Sequence, residues 1–307
     1  MALNYEDVIK TKDSISFKNQ AFINGKYVNS LSEKVFEDIS PVDGGLVTSV
    51  AECDVDDVND AVKAARYVFE KGSWSRMAPN KRKKILFKFA DLIKKNILEL
   101  GILETIDMGK PISAATGDIA ACVACLNWYA EAIDKIYDDV APTRDNIIAM
   151  ITKEPLGVVG AVTPWNYPLL MAFWKIAPAL ATGNSFILKP AEQSPLSALR
   201  VSELAMEAGI PEGVFNVVPG FGPTAGKALG MHMDVDKLGF TGSTEVGKLF
   251  LKYSGDSNMK RVSLECGGKS PNIIFADAPD LDVAAKQAAD GMFFNSGQVC
   301  DAPSRLL

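Results

Sequence analysis

Apolar residues recur along this chain with two spacings, and the change from one to the other marks its organisation. In residues 54–70 the positions Val58, Ala61, Val62, Ala65 and Phe69 fall three and four apart, as on the buried face of a helix. Residues 80–100 repeat the pattern with Ile85, Leu86, Phe89, Leu92, Ile93 and Leu100, which predicts a second helix. The basic run Lys81-Arg82-Lys83-Lys84 reads as the solvated face of that helix. Ahead of both lies Phe22-Ile23-Asn24-Gly25-Lys26-Tyr27-Val28, a hairpin signal, because Asn-Gly tolerates the positive φ of a type I′ turn.

From residue 157 onward, short apolar runs alternate with helical stretches. Strands are expected at 157–162, 185–188, 214–218, 237–240 and 261–264. Helices are expected at 169–180, after Gly222 and from Thr244. Another opens with Ser194 as N-cap and Pro195 in its first turn, and Gly209 closes it. Repeated strand–helix units predict an α/β fold built on a doubly wound, Rossmann-like parallel sheet. A further strand at 272–276 and helix at 280–294 begin a second α/β unit. The chain stops at Ser304-Arg305-Leu306-Leu307, inside what reads as another buried segment, so a fragment is expected.

Composition narrows the function. Of 307 residues, 48% are hydrophobic and 23% charged, the balance of a globular protein. A net charge of −6 argues against a nucleic-acid partner. The most apolar stretch, 169–181, is broken by Lys175 and Pro178 and is too short to span a membrane. Residues 1–17 hold no apolar run of the secretory kind, and five cysteines are too few for a disulfide framework, so a cytoplasmic location is expected. The one histidine, His232, excludes a His-cluster metal site and reads as a solvated loop residue; no metal is expected. Cys122 and Cys125 form a C-x-x-C without a second ligand pair, in a helical stretch, and read as core cysteines.

Ligands of open α/β sheets bind beyond the carboxyl ends of the strands. Two glycine-rich turns lie there, Gly220-Phe221-Gly222-Pro223-Thr224-Ala225-Gly226 and Phe240-Thr241-Gly242-Ser243-Thr244-Glu245-Val246-Gly247. Either alone is compatible with an ordinary tight turn. Two in succession favour nucleotide binding, since both aim backbone N–H groups at an anion. In Lys189-Pro190-Ala191-Glu192-Gln193 a carboxylate can accept the hydroxyls of a ribose and would repel a 2′-phosphate; a surface Lys/Glu pair is the alternative. Cys300, after a predicted helix and Gly297, is a candidate nucleophile or an inert packing thiol. Glu265, beside Gly267 and Gly268 at a strand's carboxyl end, is a candidate general base or a turn cap.

Taken in order, Thr163-Pro164-Trp165-Asn166-Tyr167-Pro168, Lys189-Pro190-Ala191-Glu192, Phe240-Thr241-Gly242-Ser243-Thr244, Leu264-Glu265-Cys266-Gly267-Gly268-Lys269 and Gly297-Gln298-Val299-Cys300 resemble the NAD(P)-dependent aldehyde dehydrogenase superfamily. Asp107-Met108-Gly109-Lys110-Pro111 adds to the likeness, which runs from the hairpin to the last residue. The resemblance implies Cys300 as nucleophile, Glu265 as general base and Asn166 as oxyanion donor. It implies cofactor contacts at Trp165, Lys189, Glu192, Gly222, Gly242 and Ser243, with NAD as cofactor and NADP possible. It also implies a cofactor domain of residues 1–135 and 155–267, a bridging arm of 136–154 for oligomerisation, and the start of a catalytic domain at 268–307. The full-length form is then expected as a homodimer or homotetramer acting on a small aldehyde.

The run from Ser257 to Ile273 is similar to the branch acting on aminoaldehydes, which includes γ-glutamyl-γ-aminobutyraldehyde and betaine aldehyde dehydrogenases. Asp301 departs from the small or neutral residue expected after the nucleophile, and a carboxylate there opposes thiolate formation. Cys266, beside Glu265, reads as a packing thiol. Two other functions remain open at this level: a nucleotide-binding fragment without catalysis, and a cysteine hydrolase using Cys300 and Glu265.

Overall fold

The computed structural model describes residues 4–307; Met1, Ala2 and Leu3, at the head of the segment read as lacking a secretory signal, lie outside the described residues. After helix α1 (Tyr5–Ser14), the Asn-Gly hairpin forms as read. Strands β1 (Ala21–Ile23) and β2 (Lys26–Val28) pair antiparallel, and Asn24 and Gly25 take φ of 52° and 79°. Strands β3 (Val35–Ile39) and β4 (Leu46–Ala51) make a second antiparallel pair.

Helix α2 (Val55–Lys71) starts at a capping box, in which Asp54 and Asp57 each accept from the other's backbone N–H end, and stops at Gly72 in the left-handed region. The single helix expected over 80–100 is two helices, α3 (Pro79–Lys95) and α4 (Ile97–Met108). Asn96 breaks it: its backbone leaves helical geometry, and its side-chain Nδ2 donates to Leu92 O at 2.8 Å, competing with the backbone ladder. The expected solvated basic face is also wrong at one position. Arg82 is buried and donates to the carbonyls of Ala181 (3.1 Å) and Met77 (2.7 Å), tying α3 to neighbouring turns. Periodicity could not reveal this, because the partners are backbone carbonyls, one of them, Ala181 O, 99 residues away in the chain.

Helix α5 (Ile112–Ala132) carries Cys122, buried, and Cys125, half-buried with its Sγ toward Phe173 O, so both thiols pack in the core. Next comes a small antiparallel pair, β5 (Asp139–Ala141) and β6 (Ala149–Ile151), where Val140, Met150 and Ile151 are exposed, as is Ile148 just before β6.

The main sheet adds β7 (Val158–Val162), β8 (Ser185–Lys189), β9 (Phe215–Val217), β10 (Lys237–Gly242) and β11 (Arg261–Cys266), in the order β11-β10-β7-β8-β9-β1-β2. The strands from β11 to β9 run parallel, and the β1–β2 hairpin closes one edge antiparallel. Helices α6 (Pro168–Ala181), α7 (Leu196–Ala208), α8 (Lys227–Met231) and α9 (Thr244–Gly255) connect them. Side chains alternate across the sheet with the two-residue period of a strand. Val159, Ala161, Phe186 and Leu188 join one core with α3, α5, α6 and α7. Val158, Val162, Ile187 and Leu238 join a second core with α2, α8 and α9. Both faces are covered, so the doubly wound α/β expectation holds.

Several local expectations change. Ser194 does not cap α7: Pro195 holds the cap position without a side-chain bond, and the Leu196 N–H goes instead to Asp107 Oδ2 at 2.9 Å. Gly209, at φ 102°, does end that helix. The helix expected after Gly222 is a wide turn, Gly222–Gly226, followed by the short α8. His232 is half-buried rather than solvated, its Nδ1 accepting from Asp234 N–H, and burial pulls its pKa down. The strand expected at 272–276 shrinks to β12 (Pro271–Asn272), paired in parallel with β13 (Arg305–Leu306), although Ile274 N–H still donates to Leu307 O. Helix α10 (Leu281–Phe293) precedes β13, and Ala288 is its buried residue. Among the described residues no helix is long and apolar enough to cross a membrane.

Candidate active site

The strand order creates a crevice. From β7 the chain steps outward to β8 and β9, then returns to lay β10 on the other side of β7. Connections from β7 and β10 therefore leave the sheet's carboxyl edge in opposite directions, the switch point where open α/β sheets take ligands. Thr163, Pro164, Trp165 and Asn166 follow β7, and Ser243 follows β10. One strand away, Lys189 ends β8 and Glu192 follows it. The topology thus brings the predicted cofactor residues to one edge, although they are spread over some eighty positions of sequence.

The crevice residues are set by local chemistry. Ser243 accepts from Val246 N–H at 3.2 Å and so fixes the N-terminus of α9, whose free N–H groups and dipole favour an anion. Gly242 ends β10 where a Cβ would fall 2.5 Å from Phe240 Cζ, so the chain needs glycine there. Gly222 opens the wide turn, and no atom lies within 4 Å of where its Cβ would stand. Trp165 presents an exposed indole. Lys189 and Glu192 do form an ion pair, at 2.8 Å, but not a surface one: the lysine is buried. Burial lowers the Lys189 pKa, and the Glu192 carboxylate works against that shift.

Glu265 lies within β11 rather than just past it, because the strand runs two residues further than expected, to Cys266. Its neighbours alternate: Cys266 turns to α9, where its Sγ would sit 3.1 Å from a Cβ on Gly247, so the thiol packs as read. Glu265 lines a cavity of about 320 Å³ with Leu156, Trp174, Lys175, Phe240 and Ser263. Lys175 is a functional candidate that sequence reasoning passed over, treating it as a break in an apolar run. Its Nζ donates to Thr241 Oγ1 at 2.6 Å and to Met171 O at 3.2 Å. Burial pulls its pKa down to about 8, against the opposing pull of the Glu265 carboxylate. A lysine on the apolar face of a buried helix was the available signal, since such a charge persists only with partners.

Cys300 is exposed, and the segment leading to it is unusual. Asn295, Ser296 and Gly297 take φ of 47°, 58° and 73° in succession. Left-handed geometry at two non-glycine residues costs energy that surrounding bonds must offset. Those bonds come from β7's connection: Asn166 Nδ2 donates to Gln298 O at 2.7 Å, and Asn295 Nδ2 donates to Asn166 O at 3.3 Å. One amide N–H of Asn166 is therefore engaged by the segment leading to Cys300, and an amide has two. On the other side Gly268 N–H donates to Cys300 O at 2.9 Å. The Cys300 segment is thus held to the Asn166 side chain and to the turn that follows β11, the strand carrying Glu265.

The chain resembles known proteins over nearly its whole length. The model of the aldehyde dehydrogenase family matches residues 27–307. The NADP/NAD-dependent aldehyde dehydrogenase PuuC of Escherichia coli is 53% identical over 96% of this chain and 60% of its own length. An aminoacetaldehyde dehydrogenase of Pseudomonas aeruginosa is 47% identical over 99% of the chain and 62% of its length. The structure of the P. syringae indole-3-acetaldehyde dehydrogenase AldA, a complex with NAD+ and IAA, superposes with a TM-score of 0.97 at 54% identity, covering 99% of this chain and 62% of that one. The chain spans about 60% of the length of these relatives. With the family model matching most of its length and relatives near 50% identity, this chain belongs to the aldehyde dehydrogenase family.

Proposed function

We propose that the complete protein oxidises an aldehyde to its carboxylic acid with NAD, and that ω-aminoaldehydes are its substrate class. The observation that carries this reading is the pair of bonds closing the Cys300 segment onto Asn166 and onto the β11 strand end, beside the switch-point crevice. The relatives named for NAD and for aminoacetaldehyde support the cofactor and the substrate class.

The residues fit a dinucleotide. Ser243 and the α9 N-terminus suit a pyrophosphate, Trp165 flanks the crevice, and Glu192, held by Lys189, offers a carboxylate to ribose hydroxyls. When bound, NAD supplies the acceptor for the hydride. The Cys300 thiolate attacks the aldehyde carbon, which becomes tetrahedral and anionic at oxygen. The Asn166 N–H not given to Gln298 and a backbone N–H stabilise that oxygen. Loss of hydride leaves a thioester on Cys300. Glu265 then takes a proton from water, whose oxygen attacks the thioester and releases the acid. Lys175 offsets the carboxylate's charge from the cavity side. The arm of residues 136–154, with its exposed apolar strands, joins subunits of a homodimer or homotetramer.

Expressed at full length, the protein is expected to reduce NAD in the presence of an ω-aminoaldehyde. Cys300→Ala should lower turnover by on the order of 10³-fold or more while NAD binding, read by tryptophan fluorescence, stays within about twofold. Turnover surviving in that variant would remove Cys300 from the chemistry.

A further inference from the structure

Helix α6 starts without a cap of its own. Tyr167 holds the cap position with no side-chain bond, and Pro168 has no N–H, so Leu169 carries the first amide of the helix that needs an acceptor. That amide is buried and donates to Glu104 Oε1 at 2.9 Å, across 65 positions of sequence. Glu104, on α4, is itself fully buried. Ser197 Oγ approaches the same oxygen at 3.5 Å, and the other carboxyl oxygen has no partner. A carboxyl left half unpaired is costly to bury, whereas a negative charge against a helix N-terminus is favourable. The residue before the helix is held as well. Lys110 Nζ lies 3.7 Å from the centre of the Tyr167 ring and is paired with Asp118 Oδ2 at 2.5 Å. Asn166, directly before Tyr167, gives its Nδ2 to Gln298 O at 2.7 Å and accepts Asn295 Nδ2 on its backbone oxygen at 3.3 Å. The Asn166 stretch is therefore gripped from the Cys300 segment on one side and from α4 and its following turn on the other.

We propose that Glu104 is a positioning residue for the reaction: by holding the Leu169 N–H it fixes the first turn of α6, and through that turn the place of the Asn166 amide that receives the developing oxyanion. This rests on the aldehyde-oxidising reading above, in which Asn166 stabilises the tetrahedral oxygen, and assigns the support of that donor to a side chain outside the crevice. Met171 N–H closes the intervening turn on Tyr167 O at 3.0 Å, so a displaced helix start is passed on to the asparagine. Removing an oxyanion donor costs about 10²–10³-fold in kcat, and misplacing a reacting group by about 1 Å costs about 10²-fold. Releasing one end of the grip, with the Gln298 bond intact, should then cost about tenfold.

The test is a double-mutant cycle in the full-length protein, with kcat and KM measured for propanal and 3-aminopropanal and rates expressed per NAD-binding site. Glu104→Leu should lower kcat and kcat/KM about tenfold with KM and NAD affinity within about threefold, since the loss falls on the transition state. Glu104→Gln keeps an oxygen for the Leu169 N–H and should stay within about threefold of the parent. In an Asn166→Ala background Glu104→Leu should cost less than about threefold, because the donor it serves is gone. Where Glu104→Leu yields no folded protein, Glu104→Asp, whose carboxyl stops one methylene short, carries the same cycle. Amide exchange over residues 165–172, read by mass spectrometry, should quicken about tenfold in Glu104→Leu and hold in Glu104→Gln. A loss repeated in full in the Asn166→Ala background, a loss confined to KM, or exchange unmoved in that segment overturns the proposal and leaves the oxidation reading intact. Failure of the parent protein to oxidise any aldehyde overturns the oxidation reading, and the catalytic role of Glu104 falls with it.

Discussion

Asp38, Glu104 and Asp107 are buried carboxyl groups outside the crevice, and water does not reach them. Both oxygens of Asp38 and one each of Glu104 and Asp107 lack a hydrogen-bond partner in the structure. Burial pushes Asp38 up to about 6 and Glu104 up to about 7; Asp107 shifts well up, from burial and then from Asp38 beside it. The sign of the consequence is fixed by linkage. A carboxyl that holds its proton more tightly folded than unfolded stabilises the fold fully below pH about 4, and the contribution is lost as pH rises through 6 and 7. Urea midpoints measured from pH 4 to pH 8 should therefore fall, and Asp38→Asn should flatten the part of the slope near pH 6. A slope unchanged by that substitution would show the proton to reside elsewhere. Their burial was not legible in the sequence, although Asp107 stands in a motif read there: Asp38 lies in a strand and Glu104 and Asp107 in a helix, and only packing shows which face is closed.

At the scale of elements, glycines separate two kinds of constraint. Gly209 ends α7 at φ 102°, and a Cβ there would meet nothing within 4 Å, so Gly209→Ala should cost about 1–2 kcal/mol of backbone strain. Gly220 takes φ 148°, and its Cβ would stand 2.5 Å from the Cys53 carbonyl oxygen. Strain and a backbone clash combine there, so Gly220→Ala should cost about 2–4 kcal/mol. Equal shifts of the two denaturation midpoints would contradict that reading. The helix stop at Gly209 was legible because a C-terminal glycine signal is local. The burial of Arg82 and the idle Ser194 hydroxyl were not, since each depends on a partner distant in sequence, and the break at Asn96, though its bond to Leu92 is local, interrupts an apolar period that runs on through it. Lys175 belongs with them: its place beside Glu265 needs α6 to lie against β10, whose Thr241 it bonds and which pairs with β11 at Glu265.

For the whole molecule, the exposed residues Val140, Ile148, Met150 and Ile151 on the arm form an apolar strip against water. Such a strip is a strand-pairing and association surface. Ile148→Lys together with Met150→Lys should reduce concentration-dependent light scattering of this chain by a large fraction and leave its circular dichroism unchanged. Scattering unaffected by the pair would place self-association on another face.

The sequence by itself determined the alternation of strands and helices, the hairpin, the glycine turns and the order of the motif residues, because each is written in neighbours a few positions apart. It also placed Cys300, Glu265 and Asn166 on their segments. What the tertiary structure decided is which of these segments meet. The crossing from β9 back to β10 makes the crevice, and the Asn166–Gln298 and Gly268–Cys300 bonds bring the Cys300 segment up to β7's connection and to the turn after β11. Local spacing carries no information about such encounters; they follow from covering both faces of one sheet, a condition on the whole chain at once.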